Sequence, residues 1–321
     1  MDLIYTNAKM EDQGVLLDYS LDLAFGADEN DFECTIQADS HCCSAGSFLY
    51  IEGTEYGGIV DSIESNEEEG SVIYRGRTWH GILNAKVLQP DPGKAYLTVN
   101  GEANTVIGSL LERMGLTDLF RASPMPSGVT VKNYKMNRYI LGYDGIKKML
   151  KASGGKLKVV FVNGMVMLSA TSAKDYSKDE EFDSDLLDFQ IKKNYKSVNH
   201  LVCLGTGNLE DRMVIHLYAD AFGRISRNQT QFGLDEYAAV YDYPNVESEE
   251  ELLQSGTEEL QSLWGQDELS IAFDAEEDSF DIGDIVGAID NITGIQISAE
   301  ITKKIVSIEN GQPIISYEVG D

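Results

Sequence analysis

The sequence predicts a mainly β protein with α+β insertions. Apolar and polar residues alternate along many short segments at both ends of the chain, which is the pattern of strands with one buried face. Helical spacing of apolar residues is confined to a few segments in the middle and before the end. Asn-Gly and other glycine-containing turns separate the alternating segments. With 321 residues and 42% hydrophobic residues, the chain is long enough for two or three domains.

Residues 1–95 are the first predicted β domain, a small barrel or sandwich. The alternation from Val15 to Phe25 predicts one long strand that ends at Gly26. A second strand, Phe32–Ile36, follows after a short polar linker, so the two are expected to form a hairpin. Three further strands and one solvated acidic turn complete this domain: Phe48–Tyr50, Ile59–Ile63, Val72–Arg75 and the turn Glu67–Gly70.

Residues 96–178 are predicted to form an α+β domain. Asn104 is a candidate N-cap of a helix that ends at Gly115. The buried face of that helix consists of four apolar residues, Ile107, Leu110, Leu111 and Met114. A second helix is predicted from Asp144 to Ala152. The segment Lys158–Leu168 consists of two apolar strands around Asn163-Gly164, which predicts a tight hairpin.

Residues 179–321 are predicted to form a second β domain with a helical insertion at about 226–265. Its predicted strands include Leu186–Ile191, Leu201–Leu204 and Val214–Tyr218. In the insertion, Ser248–Glu251 matches a capping box, and a leucine stripe extends the helix to Trp264, although Gly256 interrupts it. The closing stretch Phe280–Gly320 predicts an antiparallel meander. Asp290-Asn291 and Asn310-Gly311 are its turns, and Pro313 begins its last strand.

The chain is strongly acidic. It has 25 Lys and Arg against 54 Asp and Glu, a formal net charge of −29. From Asn228 to Thr302 there is no Lys, Arg or His. Because DNA affinity comes mainly from cationic side chains, this composition argues against a nucleic-acid-binding protein. It is compatible either with simple solubility or with a surface past which nucleic acid slides without adhering.

The sequence shows no set of catalytic, cofactor-binding or metal-binding residues, and we predict that the protein is not an enzyme. The cysteines Cys34, Cys42, Cys43 and Cys203 show no CxxC spacing, and the histidines His41, His80, His200 and His216 are scattered. The run His41-Cys42-Cys43 lacks the further ligands of a zinc site. Gly205-Thr206-Gly207 lacks both the third glycine and the helix of a dinucleotide-binding loop, so a turn is expected there. We expect no cofactor.

A succession of short segments resembles one known family. The segments that carry the resemblance are Phe25-Gly26, Asn30–Glu33, Tyr74–Trp79, Gly81–Leu83, Val198–Leu201, Leu204-Gly205, Arg212–Asp220, Phe280–Val286 and the terminal strands. In this order, over essentially the whole chain, they resemble the tail hub (baseplate hub) proteins of tailed bacteriophages and prophages, of the siphophage type from Gram-positive hosts.

This resemblance implies two small tube-type antiparallel β-barrel domains with α/β segments. The barrels would be residues 1–95 and a second one built from 179–225 and 266–321. Three copies would form a ring of six barrels that joins the hexameric tail tube to the tail tip and lets DNA pass during ejection. The implied neighbours are a distal tail or tail tube protein above and a tail fibre or tip protein below.

The expected location is therefore the tail tip of the virion, after synthesis in the bacterial host cytoplasm. We see no secretory signal and no membrane-spanning segment, and we expect the chain to lack the enzymatic extension of many relatives. Two alternatives stay open. One is a tail-associated cell-wall hydrolase that uses some of the many carboxylates. The other is a carbohydrate-binding module that uses Tyr74 and Trp79, although aromatic side chains also commonly fill β cores.

Overall fold

The computed structural model describes residues 1–178, 182–183, 189–192, 197–246, 248–264, 268–274, 280–289, 292–309 and 311–320. The chain divides into two compact units. Unit 1 comprises Met1–Phe189, Ser270–Asn291 and Ser298–Val319. Unit 2 comprises Gln190–Leu269, Ile292–Ile297 and Gly320–Asp321.

Unit 1 begins with seven strands and one short helix. They are β1 (Leu3–Thr6), β2 (Asp12–Leu16), β3 (Ser20–Gly26), β4 (Asp31–Gln37), β5 (Phe48–Tyr50), β6 (Gly57–Asn66), β7 (Ser71–Thr78) and α1 (Trp79–Asn84). A 3₁₀ turn, Ala38–Ser40, follows β4. The order of these strands in the sheet is β3-β4-β7-β6-β5-β1-β2, and every neighbouring pair is antiparallel.

The predicted hairpin between the first two alternating segments is confirmed, but the predicted single strand from Val15 to Phe25 is wrong. β2 ends at Leu16 and pairs with β1, whereas β3 starts at Ser20 and pairs with β4. Leu17, between them, is 77% exposed. Because alternation reports only which face is buried, it does not reveal a change of strand partner.

The next part of unit 1 consists of short strands around two helices. They are β8 (Val87–Leu88), β9 (Leu97–Glu102), α2 (Ala103–Met114), β10 (Phe120–Ala122), β11 (Thr130–Met136), β12 (Ile140–Leu141), α3 (Gly142–Lys151), β13 (Gly155–Val162) and β14 (Met165–Ser172). A 3₁₀ turn, Tyr176–Lys178, follows β14.

Both predicted helices are confirmed, with one correction at the start of α2. Its N-cap is Glu102, whose side chain accepts a hydrogen bond from the backbone N–H of Thr105. Asn104, the predicted cap, is buried instead and bonds to the backbone of Met125 and Ala170. Gly115 does end the helix, at φ +67°.

The Asn-Gly hairpin prediction is also confirmed. β13 and β14 pair from Gly155 opposite Ser172 to Val162 opposite Met165. Asn163 and Gly164 form the turn with φ values of +53° and +74°, the conformation expected of a two-residue hairpin loop.

One hydrophobic core in unit 1 joins the first strands to these helices and strands. It includes Trp79, which is fully buried and stacks on Phe161 with ring centroids 5.3 Å apart. Phe48 also stacks on the indole, with ring centroids 6.1 Å apart. Such aromatic packing buries large apolar areas and fixes the position of α1.

The remaining elements are ten strands and one long helix. They are β15 (Phe182–Asp183), β16 (Phe189–Lys192), β17 (His200–Leu204), β18 (Val214–Ala219), β19 (Ile225–Ser226), β20 (Ala238–Asp242), α4 (Glu249–Leu263), β21 (Glu268–Asp274), β22 (Ile285–Ile289), β23 (Gln296–Glu309) and β24 (Gln312–Gly320). Two 3₁₀ turns, Leu209–Asp211 and Gly233–Asp235, lie among them.

The C-terminal strands complete the large sheet of unit 1. β23 pairs with β3, with Val306 opposite Leu23, and β24 lies between β23 and β21. β22 pairs with β23 and with β15. The predicted terminal strands are confirmed, including Pro313 near the start of β24. The predicted turn residues Asp290, Asn291 and Asn310, and residues 186–188 of a predicted strand, lie outside the described residues.

Unit 2 contains a four-stranded sheet, in the order β19-β18-β17-β20, packed against α4. Ser248 caps the helix by accepting a hydrogen bond from the N–H of Glu251, as predicted. Gly256 is buried in the contact: a Cβ atom there would collide with Sγ of Cys203 and lie 3.0 Å from Leu217. This glycine therefore permits close approach of helix and sheet.

The mainly β fold class with α+β insertions is confirmed. The predicted domain boundaries remain a proposal.

Candidate functional site

The solvent face of the large sheet in unit 1 carries a cluster of carboxylates. Along β3, β4 and β7, apolar side chains such as Leu23, Cys34 and Tyr74 are buried, and the intervening residues point away from the core. The outward carboxylates on four strands, β3, β4, β6 and β23, define what we call the acidic face: Asp22, Asp31, Glu33, Asp61, Glu64 and Glu309.

The register of the strands brings like charges together on this face. Asp22 on β3 lies directly opposite Glu33 on β4. Like charges in such a pair destabilise the sheet slightly. Burial, followed by the nearby charge of Glu29, raises the pKa of Asp31 above its ordinary value. The face therefore has a negative local potential.

Two arginines on β7 lie within the acidic face and are held by its carboxylates. Nε of Arg75 lies 2.7 Å from Glu33, and its Nη1 also bonds to Glu64. Arg77 bonds to both oxygens of Asp61, at 2.7 Å each, and this hydrogen bonding holds the pKa of Asp61 below its ordinary value. Six carboxylates against two guanidinium groups leave an excess of four negative charges.

A lysine at the end of the acidic face is also bound by carboxylates of the same chain. Lys303 on β23 lies 2.9 Å from Glu29 and 3.5 Å from Glu318, so one ammonium group faces two carboxylates. Cations on this surface are thus bound by acids of the same chain. A surface of this kind repels a phosphate backbone because it offers few cations to replace counterions.

Three of the four cysteines, Cys34, Cys43 and Cys203, are buried, and Cys42 is partly buried. Burial raises the pKa of Cys34 to about 12, and burial also raises the pKa of Cys43. The Tyr74 hydroxyl accepts hydrogen bonds from the backbone N–H groups of Cys42 and Cys43 and lies 2.9 Å from Nδ1 of His41. Within the ranges that the structure describes, no group of three or more His, Cys, Asp or Glu side chains is arranged to hold a metal ion.

His80 is a buried neutral imidazole. Its ring stacks on Phe25 at 4.7 Å, and burial, followed by the charges of Lys147 and Lys304, lowers its pKa to about 3. Glu55 lies 3.6 Å from Nε2, too far for a good hydrogen bond, and bonds to Lys304 at 3.0 Å. Among the residues that the structure describes, none forms a hydrogen bond with Nδ1 of His80. A cavity of about 270 Å³ adjoins this cluster.

The last two histidines meet on the open face of the four-stranded sheet in unit 2. Nε2 of His200 lies 2.8 Å from Nδ1 of His216, and Nδ1 of His200 lies 2.6 Å from Glu236. The sequence places each histidine on a strand, but their contact depends on the strand register and was not predicted.

The remaining candidates from the sequence have structural positions. Tyr74 and Trp79 are fully buried, so neither ring is placed to stack on a sugar. Gly205-Thr206-Gly207 lies in the loop between β17 and β18, with Gly207 at φ +99°, which confirms the predicted turn. In the described part of the chain, no helix is long and apolar enough to cross a membrane.

No family model matches the chain, and no curated protein matches it. Solved structures do. The prophage MuSo2 43 kDa tail protein from Shewanella oneidensis is 10% identical, with a TM-score of 0.60 over 99% of this chain and 98% of that one. A tail protein from Neisseria meningitidis is 12% identical, with a TM-score of 0.54 over 100% of this chain and 96% of that one. Prophage tail protein gp18 from Listeria monocytogenes is 12% identical, with a TM-score of 0.52 over 99% of this chain and 94% of that one. The chain therefore has the fold of prophage tail proteins over its whole length.

Proposed function

We propose that this chain is a structural component of a phage or prophage tail, and specifically a tail hub subunit. Three copies form a ring that joins the hexameric tail tube to the tail tip. A distal tail or tail tube protein lies above it and a tail fibre or tip protein below it. The subunit is made in the bacterial host cytoplasm and has no catalytic role. Its likeness in fold to prophage tail proteins over its whole length supports this proposal.

In this proposal residues 1–95 and residues 179–225 with 266–321 supply two tube-forming barrels, and 96–178 is the α+β segment between them. Six barrels from three copies then match the sixfold tube above. The siphophage type from Gram-positive hosts is part of the same proposal.

The single observation that carries the channel role is the acidic face. A ring through which DNA is ejected must not retain it, and retention of DNA depends on cations that contact phosphates. Arg75 and Arg77, on the acidic face, are bound by Glu33, Glu64 and Asp61. We therefore assign the acidic face to the wall of the channel, where it repels the passing DNA.

The test is genetic complementation in the phage or prophage that encodes the chain. Deletion of the gene should give particles without completed tails, as seen by electron microscopy, and the wild-type gene should restore them. Normal tails in the deletion strain would rule out a hub.

Charge reversal then tests the channel. The triple variant Asp22→Lys, Asp31→Lys, Glu309→Lys changes acids that lie outside the three ion pairs of Arg75 and Arg77. We expect it to restore tails but to slow DNA release. The matched control reverses the same number of charges at Glu67, Glu68 and Glu69, in an exposed turn between β6 and β7. Equal release by both variants would contradict the assignment of the acidic face.

A further inference from the structure

The strand register in unit 2 places two histidines side by side on one sheet face. β17 and β18 are antiparallel, with His200 opposite Tyr218 and Val202 opposite His216. The histidines are therefore diagonal neighbours, a distance that long side chains can bridge. Leu201 and Leu217, which alternate with them, are buried against α4 on the other face.

His200 is held in a fixed orientation. Its Nδ1 lies 2.6 Å from Oε1 of Glu236, and its ring stacks on Tyr218 with centroids 4.4 Å apart and an interplanar angle of 25°. The side chain of His200 is only 12% exposed. His216, in contrast, is exposed to solvent. One imidazole is thus pre-organised and the other is accessible.

The hydrogen bonds determine where the lone pairs point. A neutral imidazole has one N–H and one lone pair. Because a carboxylate is acceptor-only, Nδ1 of His200 donates to Glu236, and its Nε2 carries the lone pair. Nδ1 of His216, 2.8 Å away, then donates to that nitrogen. If the proton of His216 moves to its Nε2 through solvent, the two lone pairs face each other across this gap. The exposed ring of His216 must then rotate, because two nitrogens bound tetrahedrally to one metal ion at about 2.0–2.1 Å are roughly 3.3 Å apart.

We infer that His200 and His216 together bind a borderline divalent transition metal such as Zn²⁺, Ni²⁺ or Cu²⁺. Imidazole is a preferred ligand of these ions, whereas Mg²⁺ and Ca²⁺ prefer oxygen. Glu236 orients His200 through the hydrogen bond to its Nδ1, as carboxylates commonly do behind metal-binding histidines. Two protein ligands leave the other coordination positions to water, so the site is exchangeable and does not resemble a closed structural zinc site. This inference is independent of the tail function.

The experiment is calorimetric titration of the full chain with Ni²⁺ in excess Mg²⁺, which occupies the many carboxylates. The wild type should bind one Ni²⁺ per chain, and His216→Asn should lose this saturable binding. His41→Asn, which removes an exposed histidine in unit 1, is the matched control and should bind like the wild type. Thermal unfolding verifies that the variants are folded.

A second readout identifies the ligands. The electron paramagnetic resonance spectrum of bound Cu²⁺ should show hyperfine coupling to two imidazole nitrogens in the wild type and to one in His216→Asn. Glu236→Gln should weaken Ni²⁺ binding about tenfold, the lower end of the effect of such orienting groups. Ni²⁺ binding that persists in His216→Asn, or that is absent in the wild type, would overturn the site. Unchanged affinity in Glu236→Gln would overturn the role of Glu236.

Discussion

Nζ of Lys156 lies 2.6 Å from the carboxylate of Asp284, although the two residues are 128 positions apart in the sequence. Asp281 is a second partner of the same ammonium group, at 2.7 Å. Burial lowers the pKa of Lys156, but the hydrogen bonds and charges of the two carboxylates outweigh it and raise that pKa. Asp284 is completely buried and also accepts a hydrogen bond from the backbone N–H of Lys174. This ion cluster joins β13 to the segment before β22.

Lys156→Met should destabilise unit 1 strongly. It leaves the buried carboxylate of Asp284 without its cation, and breaking a buried ion pair in this way costs about 3–5 kcal/mol. Chemical denaturation measures the change in the free energy of unfolding. The control is Lys158→Met, two residues along the same strand but exposed, for which we expect a change within about 0.5 kcal/mol. Equal effects of the two substitutions would show that the cluster contributes nothing specific.

The buried imidazole of His80 should make the stability depend on pH. Its pKa is about 3 in the folded protein and 6.5 ordinarily, so the unfolded chain takes up the proton first as the pH falls. The contribution of neutral His80 to the free energy of unfolding is complete above about pH 6.5. It is lost progressively as the pH falls toward the pKa of His80 in the folded protein.

His80→Phe, which keeps the stacking on Phe25, should remove this dependence. Between about pH 6 and pH 4 the unfolding free energy of the wild type should fall more steeply than that of the variant, by about 1 kcal/mol per pH unit. If urea denaturation gives the same dependence of unfolding free energy on pH for the wild type and His80→Phe, His80 is not neutral in the folded protein.

Features encoded within a few residues were predictable from the sequence. The Asn163-Gly164 turn and the cap at Ser248 depend on local backbone chemistry, and both are found where predicted. The pairing of β3 with β23 was not predictable, because nothing in an alternating strand specifies a partner at the opposite end of the chain.

In the candidate site, too, local features were predictable from the sequence and contacts between strands were not. Alternation indicates that Asp22 and Glu33 point away from the core. Two contacts depend on strand register, which cannot be read from the sequence. They are the ion pair of Glu33 with Arg75 and the contact of His200 with His216.

Gly256→Ala tests the close approach of α4 to its sheet. Alanine favours a helix over glycine by about 1 kcal/mol, so an exposed site would gain stability. Here the added Cβ collides with Cys203, and we expect a net loss of about 1–3 kcal/mol from overpacking. Gln254→Ala, on the exposed side of the same helix, is the control. Thermal unfolding with a higher midpoint for Gly256→Ala would refute the steric argument.

The carboxylates that bind the arginines should keep DNA from adhering. In the triple variant Glu33→Gln, Asp61→Asn, Glu64→Gln, Arg75 and Arg77 lose their partners and can contact phosphates. Fluorescence anisotropy with duplex DNA at low salt should detect binding by this variant and none by the wild type. Two phosphate contacts predict a slope of log affinity against log salt of about −1.8.

The same number of charges is removed in the control Glu67→Gln, Glu68→Gln, Glu69→Gln, which should still not bind DNA. If the control binds DNA equally well, the binding is caused by the lower net negative charge of both variants. The carboxylates around the arginines then have no specific role.

The most direct measurement of the central proposal is a reconstruction of the intact tail by electron cryomicroscopy in which this chain is located. The proposal predicts three copies beneath the tail tube, with Asp22, Asp31 and Glu33 facing the bore. A different number of copies, a position outside the DNA path, or a bore lined by other surfaces of the chain would contradict it.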